Sequence, residues 1–177
     1  MFYIGVIIIC LIGTLLHFTY ELSHHNKFVA VFSAVNESTW EHVKICMTPT
    51  ILWSIYEIIK YGFTGNFLIA KGLSLLTIIV LIPILFYSYV VFTKKSILFI
   101  DIICFYITVI CSQLIFKVFI NCSIVSEIFV YLSIVLLSIE LGFYFYFTFN
   151  PGNNFLFKDP ITHKYGLAGH PCNHHHK

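Results

Sequence analysis

The chain has 177 residues, of which 59% are hydrophobic and only 10% charged, with a formal net charge of +2 and a mean hydropathy of +0.90. A soluble globular domain carries about 25% charged residues, so the composition argues against a dissolved monomer covered by its own charge. All ten basic residues are lysine and they are scattered, which excludes bidentate arginine clamps on phosphate and argues against a nucleic-acid surface.

The first apolar run starts at the N-terminus, about residues 2–20, without a basic flank or a small-residue cleavage site; it reads as a retained helix and not a removed signal peptide. Further spans are expected at about 39–61, 66–92, 96–120 and 126–149, each long enough for a hydrocarbon core of ~30 Å. Pro83 is a candidate kink in the third. Barrel strands would alternate over about ten residues, whereas these runs are continuously apolar, and helices satisfy every backbone group internally as lipid requires. The expected fold class is all-α, a polytopic transmembrane helix bundle of about five spans. Phe28–Val35, apolar but too short to cross, is expected as an interfacial or re-entrant segment. Residues 1–149 then form the transmembrane domain and 150–177 a polar, His-rich tail.

Lysines 27, 44, 94, 95, 158, 164 and 177 fall on one side of this topology, against 60, 71 and 117 on or near the other. The lysine-rich side is expected to be cytoplasmic, which puts the N-terminus outside and the tail inside a cell (inner) membrane.

Polar groups crowd between His17 and Lys44. His17 and Glu21, four apart, share a helix face. Ser38 and Glu41 have capping-box spacing, and Asn36 is the alternative helix cap. Glu37, Glu41 and His42 sit beside the same helix start. Asp101 lies roughly 8 Å below the cytoplasmic end of the fourth span and Glu140 roughly 14 Å below that of the fifth. A charge in hydrocarbon costs about 2.5–3.5 kcal/mol, so these carboxyls must face inward, hold a proton or find a partner. No lysine is expected at their depth. His17, Glu21, Glu37, Glu41, His42, Asp101 and Glu140 are therefore the candidates for a polar cavity or metal site, with a divalent transition metal as the conceivable cofactor. The competing reading makes Glu21, Glu41 and His42 markers of a helix–water boundary. Toward the other side, Glu57 and Lys60 are expected to form an i,i+3 pair, near Gln113 and Lys117.

Six cysteines occur, without a CxxC pair, and read as small packing residues. In the tail, Phe155, Leu156 and Phe157 are expected to dock on the membrane surface. His170, Cys172, His174, His175 and His176 have ligand types that suit zinc, nickel or copper; the competing reading is a disordered tail with incidental affinity.

Two segments carry a resemblance. The stretch HFTYE followed by VNESTWEHVK, with Pro49 inside the helix it opens, and the tail segment LFKDPITHKYG resemble a family of small multi-pass bacterial membrane proteins with a VNESTWEH motif and an LFxDPxTxxYG tail. The resemblance implies fold and location and no activity. It directs attention to His17, Glu21, Asn36, Glu37, Ser38, Trp40, Glu41, His42, Asp159 and Tyr165. The HPCNHHHK ending lies outside the pattern.

Three functions follow from these residues. The first is a non-catalytic membrane partner or small subunit, in contact with the bilayer and with a second copy or another membrane protein, its aromatics serving as interfacial anchors. The second is a transporter for a cation or small solute, with carboxylates and imidazoles as ligands or proton relays. The third is a metal-dependent intramembrane enzyme, with Glu37 or Glu41 as general base.

Overall fold

Runs of Leu, Ile, Val and Phe, broken at Gly62, Lys94 and Asn150, wind into five long helices. In the computed structural model, which describes residues 2–123 and 126–169, these are α1 (Phe2–Leu22), α2 (Thr39–Tyr61), α3 (Gly65–Thr93), α4 (Leu98–Ile120) and α5 (Glu127–Phe149). No strand occurs among the described residues; Lys158 and Tyr165 form an isolated bridge. Gly62 ends α2 at a φ of 78°, open to glycine and strained for other residues. Thr64 then caps α3 by accepting the Phe67 N–H at 3.2 Å. α3 runs on through Pro83 as one helix.

Four helices, α1, α3, α4 and α5, are long and apolar enough to cross a membrane. Five apolar spans were expected. α2 is not among the four because it carries Glu41, Lys44, Glu57 and Lys60 and is the least apolar of the five. Its first half is instead enclosed: eleven of the twelve residues from Thr39 to Thr50 are buried, and beyond them Glu57, while Leu52, Ile55, Tyr56 and Ile59 turn outward. The other helices turn apolar side chains outward, among them Ile4, Ile7 and Leu11 of α1 and Phe129, Leu132 and Val135 of α5. Such a surface fits a membrane protein, since exposed apolar area on this scale is rare in water.

Short turns reverse the chain between α2 and α3 and between α3 and α4, as in an up-and-down bundle. The core joins Ile9 of α1, Ile45 and Met47 of α2, Leu75 and Ile78 of α3, and Phe105 and Val109 of α4. Gly13 allows α1 to approach closely: a Cβ there would stand 2.5 Å from Phe105 Cζ and 2.9 Å from the Ile45 carbonyl.

Two irregular segments close the end of the bundle where α2 begins. Residues 29–38 fold inward, with Ala30, Val31, Ala34 and Val35 buried around a single 3-10 turn, Val29–Val31. The expected interfacial or re-entrant piece is thus packed into the protein. The tail folds back over it. The Trp40 N–H donates to the Leu156 carbonyl at 2.9 Å, and the Phe157 ring lies 5.4 Å from Trp40 and 4.8 Å from Phe147. Phe157 therefore docks on the bundle itself and not on a membrane surface, while Phe155 remains exposed against Tyr87.

Candidate functional site

Irregular backbone inside a bundle leaves carbonyls and N–H groups that need partners, and α2 and α5 supply them to residues 30–35. Lys44 Nζ donates to the Ala30 carbonyl at 2.8 Å, Tyr144 Oη to Val31 at 2.7 Å and Thr48 Oγ1 to Phe32 at 3.1 Å. The Val35 N–H donates to Glu41 Oε2 at 3.0 Å. Ser33 donates to the Leu16 carbonyl at 2.5 Å and accepts from the Tyr20 N–H and the Thr19 hydroxyl, tying the segment to α1.

Glu41 and Lys44 form an ion pair of 2.7 Å, with the lysine side chain fully buried. Three residues on from Glu41, Lys44 shares its helix face and turns inward. The capping box gives way. Ser38 is the N-cap residue, but its side chain makes no capping bond, and Glu41 reaches back to Val35 instead. Asn36 takes the local role, its Oδ1 accepting the Ser38 N–H at 2.8 Å, while its Nδ2 donates to the Gly166 carbonyl in the tail at 2.8 Å.

In front of that pair, a carboxylate stands between two imidazoles. Glu37 Oε1 lies 3.3 Å from His17 Nε2, and Oε2 lies 3.9 Å from His42 Nε2. His42 Nδ1 meets the Ser38 carbonyl at 3.0 Å, so that nitrogen carries the hydrogen and Nε2 is the one turned to Glu37. All three groups are partly exposed. Burial pushes the Glu37 carboxyl up, but the His17 bond and the two imidazole charges outweigh it and hold it below its ordinary value.

Glu21 is exposed on the last turn of α1. Asp101 is buried and hydrogen-bonded by Tyr89 and, at 2.6 Å, by Ser96; it shares with His42 only a void of about 10 Å³, the size of a single water. Glu140 is buried on α5 with neither carboxylate oxygen hydrogen-bonded. Among the described residues, no group of three or more His, Cys, Asp or Glu is placed to hold a metal ion. His170, Cys172, His174, His175 and His176 lie outside the described residues.

Asp159 was singled out by the resemblance without a partner, and neither Lys71 nor Tyr144 was named as one. Asp159 is fully buried; it accepts the Ile161 and Thr162 N–H groups at 2.6 and 3.1 Å, and that of Glu37 at 3.4 Å. At the opposite end of the bundle, Glu57 pairs with Lys71 of α3 at 2.6 Å, while Lys60, the expected partner, lies over the Tyr61 ring. Lys71 stood six residues inside an apolar helix, which signals a buried counter-charge.

The segments VNESTWEH and LFKDPITHKYG therefore meet in space, through Asn36 and Gly166, Glu37 and Asp159, and Trp40 and Leu156. A family model, DUF6512, described as a family of unknown function, matches residues 1–167. The chain belongs to this family. The DUF6512 match spans all five helices and both contacting segments, and ends before the histidine-rich residues 170–177. Nothing among curated proteins or solved structures matches the chain.

Proposed function

We propose that this DUF6512 protein is a non-catalytic multi-pass membrane protein, a small partner subunit with its loop-and-tail end on the cytoplasmic side. The observation that carries the reading is the use made of the charged and polar groups at that end. Glu41 is engaged by Lys44 and Val35, Asp159 by three backbone N–H groups, and Asn36 by Ser38 and Gly166. These residues hold a fold together, and a general base needs a carboxylate free to reach substrate. The Glu37 carboxylate between His17 and His42 is partly exposed at this end and would face a partner. Lysines 27, 94, 95, 158 and 164 gather there, which supports a cytoplasmic location.

One observation favours transport as the second reading. Glu140 is buried with both oxygens unpartnered, a costly state that a translocated proton or cation would relieve. Proteoliposomes separate the two. The subunit reading expects proton and cation flux equal to that of empty liposomes, no lipid hydrolysis, and a complex of fixed stoichiometry in native membranes that Glu37→Gln weakens. Flux lost in Glu140→Gln would establish transport in its place, and hydrolysis lost in Glu37→Gln would establish an enzyme.

A further inference from the structure

The end of the bundle away from the tail holds a cavity of about 350 Å³, within the range of small-molecule sites. Phe2 and Tyr3 of α1, Trp53 and Tyr61 of α2 and Phe116 of α4 supply aromatic walls. The polar lining has a different origin. Gln113 and Lys117, four apart on α4, share a face of it, and both line the cavity with Asn121, the residue that caps its end, and with Glu57.

The charges can be counted. Glu57 is already neutralised by Lys71 at 2.6 Å. Lys117 is left as the uncompensated charge of the lining, its ammonium 5.5 Å from the centre of the Phe2 ring. Gln113 is 4% exposed, and its Nε2 finds no acceptor among the described residues. An amide N–H left unsatisfied at that burial costs about 1–3 kcal/mol. Its position on the cavity wall means that an acceptor in the cavity can relieve this cost. An amide donor and an ammonium one turn apart, over aromatic walls, match a negatively charged oxygen on an apolar body.

We infer that this cavity binds an oxyanion-bearing amphiphile, with Gln113 Nε2 and Lys117 Nζ on the oxyanion and the aromatic side chains around the apolar portion. The oxyanion can come from a free carboxylic acid or from an anionic lipid of the bilayer, and the two sources share this recognition chemistry. The inference is independent of the role proposed for the loop-and-tail end.

Trp53 lines the cavity, whereas Trp40 is buried among Phe147 and Phe157 at the far end. Bromine quenches indole fluorescence at contact, so brominated probes report on Trp53. The full chain in nanodiscs would be titrated with 8-bromooctanoate, with its methyl ester, and, in separate discs, with brominated phosphatidylglycerol or brominated phosphatidylcholine. Saturable quenching by the acid, with its ester at least about tenfold weaker, is expected if the ligand is a free acid. Quenching by brominated phosphatidylglycerol in preference to phosphatidylcholine is expected if it is a lipid. Gln113→Met, close in shape and without a donor, and Lys117→Met should each weaken the effective probe by about tenfold. Lys27→Met, in the loop at the other end, should not. Circular dichroism and elution volume identify misfolded variants, and Lys117→Arg, which keeps the charge, should retain binding. Equal quenching by charged and uncharged probes, no saturation with any of them, or unchanged affinity in folded Gln113→Met and Lys117→Met would overturn the inference.

Discussion

Replacing Lys44 by Met tests a buried ion pair. The lysine side chain is 0% exposed and that of Glu41 4%. Met keeps the length of the chain and removes the ammonium. Glu41 is then a buried carboxylate without its counter-ion, and the Ala30 carbonyl loses its donor at 2.8 Å. Breaking one side of a buried pair costs about 3–5 kcal/mol, because the remaining charge is uncompensated; the lost carbonyl bond adds about 1 kcal/mol. Lys44→Met is thus expected to destabilise the fold by about 4 kcal/mol or more. The double variant Glu41→Gln/Lys44→Met removes both charges while Gln still accepts the Val35 N–H, and should recover at least half of that loss. The assay is equilibrium unfolding in mixed micelles of mild detergent and dodecyl sulfate, followed by tryptophan fluorescence, with the two single variants and the double forming a thermodynamic cycle. A Lys44→Met cost under about 1 kcal/mol, the worth of an exposed pair, would refute the reasoning, since it would mean that water reaches the ammonium. So would a double variant no more stable than either single one.

Three other outcomes follow from the packing and the charges. Gly13→Ala should destabilise by about 1–3 kcal/mol in the same unfolding assay, because its Cβ meets Phe105 and the backbone of Ile45 below ordinary contact distance. Asp159→Ala removes the acceptor for three backbone N–H groups, and limited proteolysis should cut residues 150–169 at least about tenfold faster while the helices stay protected. Glu37 is held below its ordinary value of 4.5, because its imidazole contacts outweigh its burial. It therefore adds stability above that pH and loses it as pH falls through the lower folded value. The stability gap between the wild type and Glu37→Gln should be present at neutral pH and close below about pH 4.5, as read by unfolding midpoints across the titration.

The helices were legible in the chain because their signal is local: a long apolar run decides its own state wherever water is excluded. Position along each helix was legible for the same reason, since it follows from the rise per residue. Azimuth was not. Asp101 was expected in one cavity with His17, yet it turns to Tyr89 and Ser96, a choice set by how α3 and α4 pack. Lys44 looked like a flanking charge from its place near a helix start, and only the enclosure of α2 shows it to be interior. The contact between Asn36 and Gly166 joins residues 130 positions apart, beyond any periodicity. Asn36 and Ser38 could be read together as cap residues, but which side chain forms the bond depended on the tail holding Asn36 from the other side.

The two buried ion pairs both belong to α2, Glu41–Lys44 near its start and Glu57–Lys71 near its end. The side of α2 that carries these groups cannot face lipid, where each unpaired charge costs about 2.5–3.5 kcal/mol, and turns into the bundle, while Leu52, Ile55, Tyr56 and Ile59 of the same helix turn outward. The ends are treated differently. At the first, residues 23–38 and the folded tail satisfy Glu41 and Lys44 and leave a void of about 10 Å³. At the second, α2 passes to α3 through the short turn 62–64, too short to fold inward, and a cavity of about 350 Å³ remains beside Glu57. The same polar helix is thus sealed by its own chain at one end and left open at the other. The Gln113 amide, without an acceptor among the described residues, lines that open end.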